Sequence, residues 1–302
     1  MQSNYGIKIS CGHISTSYNE IAKCVINGFN DNINGRLKIS IMDIKLCEFL
    51  HRFKMATLDQ INRYFSIIGL NKNWSSRLEK LNKSYNLINE ITLYDDNSKV
   101  VVCYTLDIGG MYLLHNYSSE DVNSRVDDLT SQRKTYDSMF QIHPHSVLKS
   151  LICAEIYLRE LVKSNIIGME NRFRIRESIE LTNEEIEAGK SPFLNLKIDL
   201  MLNLNKGVDS AYFIKVIVED EVDKICLYIE KFNKFIENRA YIDKYCSLEA
   251  EDTKLNLVFI NKEYMKIVED KLKCMDLNLS NVIITDKNIV IEDGIYIEEI
   301  AI

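Results

Sequence analysis

Residues 71–81 read NKNWSSRLEKL and hold the chain's only tryptophan beside Lys72, Arg77 and Lys80. At about 100° per residue, Trp74, Leu78, Leu81 and Tyr85 fall in one narrow arc of a helix. Lys72, Asn73, Ser76, Arg77, Lys80 and Lys83 fall in the adjoining arc. One side can bury itself and the other offers hydrogen-bond donors to something acidic. Any surface helix with a solvated polar face has a similar pattern, so the flanking sequence must decide.

Upstream, IMDIKLCEFLHRFK (41–54) repeats Leu46, Phe49, Leu50 and Phe53 at i, i+3, i+4, i+7, which predicts an amphipathic helix. TLDQINRYFSII (57–68) predicts a second. Thr57 and Gln60 form a capping box there, and Leu58, Ile61 and Phe65 form its buried stripe. GLNK then breaks the pattern before the helix of the opening stretch. Downstream, two β-rich runs in LINEITLYDDNSKVVVCYTL (87–106) flank a turn and predict a hairpin; DIGGMYLLHN (107–116) closes the unit as a short helix. Three helices followed by a hairpin is the order of a winged helix. In that arrangement the third helix enters the major groove and the hairpin follows the backbone or minor groove. Contact with double-stranded DNA is therefore the expectation for Asn71, Lys72, Asn73, Ser75, Ser76, Arg77, Lys80 and Lys83, with Lys99 as the wing contact. Asn73 and Arg77 suit base edges, because amide and guanidinium groups bond bases in pairs. Lys72, Lys80 and Lys83 suit phosphates, which position but do not specify.

The chain has 302 residues, 46% hydrophobic, with net charge −7. That length predicts two domains. From Arg36 to Leu106 there are eleven Lys or Arg against seven Asp or Glu, a surplus of four that leaves −11 on the remainder. A basic segment in an acidic chain points to local anion binding. The eight cysteines are scattered at 11, 24, 47, 103, 153, 226, 246 and 274, without zinc-knuckle spacing. They read as small buried residues of a reducing, cytoplasmic protein. MQSNYGIKIS does not start as a signal peptide, and no apolar run nears the roughly 20 residues of a membrane helix. No membrane partner is expected. His143 and His145 flank Pro144 and read as caps of a helix start.

Residues 1–35 form a polar N-terminal extension with one helix candidate, SYNEIAKCVINGF (17–29). The winged helix spans 36–114, a linker or connecting helix 115–144, and a second domain 145–302. That domain opens with the helix HPHSVLKSLICAEIYLRELVKS (143–164). RFRIRESIEL (172–181), LNLKIDLMLNL (194–204) and SAYFIKVIVED (210–220) are strand candidates. A helix (223–246), a strand (254–261), a helix (262–275) and a strand (281–286) follow. The fold class is α+β, the second domain an α/β unit with a mixed sheet.

This is also the order of a restriction-endonuclease-like core. Such nucleases need an acid on the second strand and an acid-x-Lys triplet on the third, so that two carboxylates hold a divalent metal. The second strand offers Asp199 and the third Lys215, but Phe213 and Ile217 stand two residues either side of the lysine. Glu219, Asp220 and Glu221 come too late along the strand. The expectation is a nuclease-like domain without catalysis, metal or cofactor, in which Lys215 pairs with Asp199. There is no phosphate loop and no G-x-S-x-G.

MDIKLCEFLHRFKMATLDQINRYF, SSRLEKLNKSYNLI and YTLDIGGMYLL together resemble the plasmid replication-relaxation proteins. Asp43, Thr57, Gln60, Arg77, Leu78, Leu81, Leu87, Tyr104, Leu106 and Gly109 fit that family's pattern, as do His145 and Tyr241; the resemblance spans roughly 38–245. It implies an N-terminal winged helix, a degenerate nuclease-like second domain, and a role in plasmid replication or conjugative transfer. Two positions depart. The family's acid near the end of the third strand is replaced around Lys215 and Ile217, and its turn glycine after the recognition helix is Asn86. A homodimer is the default for two-fold DNA sites. The rivals are a winged-helix transcriptional regulator with a dimerisation or sensing domain, a metal-dependent nuclease, and a protein-binding winged helix.

Overall fold

The computed structural model of the chain describes residues 5–10, 39–70, 72–83, 87–95, 98–117, 143–163, 166–179, 183–187, 191–205, 207, 209–246, 253–260, 262–275, 277–286, 290–291 and 295–296. Two compact units result, Met1–Leu158 with Ile291–Gly294 and Arg159–Val290 with Ile295–Ile302. The helix candidate at 17–29, residues Tyr85 and Asn86, and most of the expected linker lie outside the described residues.

In the first unit the order is β1 (Tyr5–Ser10), α1 (Ile41–Phe53), β2 (Met55–Thr57), α2 (Leu58–Ile67), α3 (Ser75–Lys83), β3 (Ile88–Asp95), β4 (Ser98–Leu106), α4 (Ile108–Tyr117) and most of α5 (Pro144–Val162). The strands form one antiparallel sheet in the order β1-β3-β4-β2. β1 pairs with β3 from Tyr5↔Asp95 to Ser10↔Glu90. The N-terminal extension thus contributes a strand that its sequence reading did not foresee.

The helix ends follow from local chemistry. The Gln60 amide N–H donates to Thr57 Oγ1 (3.2 Å) and the Thr57 N–H to Gln60 Oε1 (3.1 Å), which completes the expected capping box. Beyond the last turn of α2, the Gly69 N–H donates to the Ser66 carbonyl and the Leu70 N–H to the Phe65 carbonyl. That pairing needs a left-handed residue, and Gly69 supplies it at φ +85°. Phe49, Phe53, Ile61, Phe65, Leu78 and Leu81 are fully buried where α1, α2 and α3 meet. Gly110 on α4 lies against β3, where a Cβ would stand 2.3 Å from the Leu87 carbonyl oxygen.

The division between the units falls inside α5, at Leu158, rather than ahead of it at 144/145. α5 is tied to the N-terminal helices. Gln60 Nε2 donates to the Leu151 carbonyl (2.8 Å), Arg63 Nη1 reaches both oxygens of buried Glu155 (3.0 and 2.9 Å), and Arg52 Nη1 donates to the Tyr157 hydroxyl (3.2 Å).

In the second unit come β5 (Ile166–Asn171), β6 (Arg174–Ser178), α6 (Asn183–Glu187), β7 (Phe193–Lys197), β8 (Leu200–Asn205), β9 (Asp209–Ile217), a 3-10 segment (Glu219–Lys224), α7 (Ile225–Glu237), α8 (Arg239–Tyr245), β10 (Thr253–Phe259), α9 (Lys262–Lys273) and β11 (Val282–Asp286). A five-stranded sheet runs β11-β10-β9-β8-β5. It is mixed: β10 lies parallel to β9 and β11, and β8 antiparallel to β9 and β5. β6 and β7 form a separate antiparallel ribbon. The strand predicted over 194–204 is therefore two strands, broken at Ile198–Asp199. The long helix predicted over 223–246 is interrupted at Asn238, whose side chain caps α8 by accepting from the Ala240 N–H (3.1 Å). Phe213, Phe232, Phe235 and Phe259 are buried in the core between sheet and helices.

Candidate nucleic-acid interface

α3 is anchored by its apolar face. Trp74, just ahead of it, is buried and stacks on Phe65 with ring centroids 4.1 Å apart, and its backbone N–H donates to Asn62 Oδ1 (3.1 Å). Leu78 and Leu81 continue the buried stripe. On the other side Lys72, Asn73, Ser75, Ser76, Lys80 and Lys83 are exposed. Asn73 Oδ1 accepts from the Ser75 N–H (2.9 Å), so this side chain also shapes the helix start. Lys83 donates to Glu79 Oε1 (2.8 Å), one turn earlier. This hydrogen bond holds the Glu79 carboxyl below its usual range and the Lys83 ammonium above its own. Glu79, an acid in a basic face, was missed in the sequence, although the i, i+4 spacing to Lys83 is the signal for such a pair. Asn71 and the side chain of Lys99 lie outside the described residues; Lys99 belongs to β4, the second strand of the hairpin.

Arg77 requires a correction. Its Nε donates to Asp43 Oδ1 (2.8 Å) and its Nη2 bonds Asp43 Oδ2, a two-pronged pair between α3 and α1. Asp43 is fully buried and the Arg77 side chain is 16% exposed. Asp43 Oδ2 also accepts from the Ser40 N–H (2.6 Å) and hydroxyl (2.9 Å) at the start of α1. A planar guanidinium matches a carboxylate with two parallel bonds, and here that match is made inside the unit. Arg77 is thus a brace of the three-helix core, not a side chain directed at bases.

The second unit gathers its own charges. Lys215, on β9, is 6% exposed. Its Nζ lies 3.4 Å from Asp199 Oδ2 and 2.7 Å from Glu221 Oε1. The sequence reading excluded Glu221 as too late, but the 3-10 segment after β9 folds it back onto the lysine. Asp199 stands at the break between β7 and β8, where its Oδ2 accepts from the Val216 N–H (2.9 Å). The Lys215 Nζ lies 5.8 Å from the centre of the Tyr228 ring. Desolvation, with Asp199 and Glu221 adding to it, pushes the Tyr228 hydroxyl well above its ordinary range. Two carboxylates and a lysine therefore converge, with the ammonium between the acids. No group of three or more metal-binding side chains occurs among the described residues. No helix among them is long and apolar enough to cross a membrane.

No family model, no curated protein and no solved structure matches the chain.

Proposed function

We propose that the chain is a double-stranded-DNA-binding protein whose first unit is a winged helix and whose second is a non-catalytic, nuclease-like α/β unit. The observation that carries this reading is the division of labour on α3. Trp74, Leu78, Leu81 and Arg77 fasten it, which leaves Lys72, Asn73, Ser75, Ser76, Lys80 and Lys83 exposed, and the β3–β4 hairpin follows it in the chain. Lys72, Lys80 and Lys83 meet phosphates. Ser75, Ser76 and Asn73 sit at the helix start, the part of a recognition helix that reaches base edges. In this reading the DNA belongs to a mobile element, in replication or transfer, as the sequence resemblance to plasmid replication-relaxation proteins suggests; a transcriptional regulator shares the same chemistry. Selecting bound duplexes from a random library, with wild type and Asn73→Ala, tests the assignment. A defined site whose discrimination weakens in the variant supports it, and absence of any selected duplex contradicts it. Occupancy of its own promoter in cells favours the regulator, and of a replication or transfer origin the mobile-element role.

A second reading is a metal-dependent nuclease, favoured by the convergence of Asp199, Glu221 and Lys215. Nicking of supercoiled DNA with Mg²⁺ or Mn²⁺ that disappears in both Asp199→Ala and Glu221→Gln would establish it.

A further inference from the structure

The β6–β7 ribbon of the second unit has two unlike faces. Alternation along both strands sends Ile175, Leu194 and Leu196 inward, all fully buried in the core. The ribbon is fastened on that side at several points. The Tyr241 hydroxyl donates to the Ser178 carbonyl (2.7 Å), the Tyr228 hydroxyl to the Lys197 carbonyl (2.9 Å), and Glu177 accepts from Lys244 and the Tyr245 hydroxyl (2.5 Å each).

The other face is open. Arg174, Arg176, Lys197, Asn195 and Phe193 are all exposed on it, Phe193 at 60%. The register sets Arg174 opposite Lys197, Arg176 opposite Asn195 and Ser178 opposite Phe193. Residues two apart on a strand are about 7 Å apart, and opposed residues about 5 Å. Three cations and an amide thus form a compact block with a bare aromatic ring at one end. Arg174, Arg176 and Lys197 make no ion pair with any described carboxylate.

From this arrangement we infer that the ribbon binds a single-stranded polynucleotide, with phosphates on Arg174, Arg176 and Lys197 and a base stacked on Phe193. Cations beside an exposed aromatic ring are the elements of single-strand recognition, because every base has a face to stack and every linkage a charge. A duplex keeps its bases stacked inside and offers the exposed Phe193 ring no base face, so the ring favours a single strand. A single strand can turn a base, rather than a phosphate, toward the Phe193 end. The fastened inner face holds the ribbon in its binding shape before the strand arrives, which lowers the ordering cost. The surface is separate from α3 and does not depend on the duplex reading.

The test uses the full chain and a fluorescent oligothymidine of about 20 nucleotides, with a labelled random-sequence duplex of the same length as the second arm. Anisotropy titrations across a salt series compare wild type, Phe193→Ala and the triple variant Arg174→Glu/Arg176→Glu/Lys197→Glu. The substituted side chains are exposed, and circular dichroism confirms that each variant folds. The triple variant is expected to lose at least about tenfold in single-strand affinity, with a salt slope shallower by about 2. Phe193→Ala is expected to lose at least about fivefold with the slope unchanged. Duplex affinity stays within about twofold in Phe193→Ala. No single-strand binding by wild type, or wild-type affinity in either variant, overturns the inference. So does a Phe193→Ala loss that is equal on duplex and single strand.

Discussion

In the first unit Arg77 meets the fully buried carboxylate of Asp43 as a planar two-pronged donor. In the second unit Lys215 meets two partly exposed ones, Asp199 at 19% and Glu221 at 24%, as a point charge. The two clusters resemble each other in burying a cation, yet they teach opposite lessons about what stays available. The Arg77 pair makes a brace of a side chain that the sequence places on the DNA-facing arc, and leaves Ser75, Ser76, Lys80 and Lys83 of α3 exposed. The Lys215 cluster puts an ammonium against two carboxylates, Asp199 and Glu221, at the end of β9. A guanidinium fork matches one carboxylate with two parallel bonds, whereas an ammonium directs separate donors at separate carboxylates.

The largest expected effect follows from that difference. Arg77→Ala removes the guanidinium that pairs with the fully buried Asp43 carboxyl, and should destabilise the first unit by about 3–5 kcal/mol. Urea unfolding checks this. Arg77→Lys should recover only part of the loss, since lysine cannot supply two parallel bonds. A loss under about 1 kcal/mol would show that the pair is peripheral. Lys215→Ala should cost less, about 1.5–3 kcal/mol, because its two partners retain some access to water. Double-mutant cycles sharpen the point. Coupling of Lys215 to Glu221 at 2.7 Å should exceed its coupling to Asp199 at 3.4 Å. Strictly additive losses in both cycles would dissolve the cluster.

The smallest effect concerns a carboxylate outside both clusters. Hydrogen bonds from Lys244 and then Tyr245 hold the Glu177 carboxyl below its ordinary range. A depressed acid stabilises the fold above the unfolded-state value of about 4.3 and loses that contribution as pH falls through the lower folded value. Wild type should therefore lose stability below about pH 4.3 more steeply than Glu177→Gln, measured by thermal melting across pH. Identical acid limbs would remove Glu177 from the account.

The parts of the fold that were legible in the sequence share one feature, which is that their signals are local. α1, α2 and α3 announce themselves through apolar spacing, the Thr57–Gln60 box and Gly69, all within a few residues of the structure they encode. The hairpin follows from two β-rich runs around a turn. What escaped depends on distance or on competition between neighbours. Nothing near Arg77 points to Asp43, 34 residues away in sequence. From Leu194 to Leu204 every second residue is Leu or Ile, so the break at Asp199 is invisible until the Val216 amide claims the Asp199 side chain. Glu221 reaches Lys215 because the chain turns into a 3-10 segment directly after β9. β1 is a six-residue run that acquires meaning only when β3 offers it an edge. The exposure of Lys72, Ser76, Lys80 and Lys83 was readable from helical phase alone. Arg77 was not, because phase places a side chain on an arc but does not say which neighbour it bonds.

The most direct measurement titrates a random-sequence duplex with the full chain over a series of salt concentrations, comparing wild type with Lys72→Ala/Lys80→Ala. Both lysines are exposed, so stability should change by no more than about 0.5 kcal/mol. If α3 lies against the duplex, the double variant binds more weakly and its plot of log affinity against log salt is shallower by about 2, one for each phosphate contact removed. A wild-type chain without duplex affinity, or a double variant whose slope and affinity match wild type, would contradict the account.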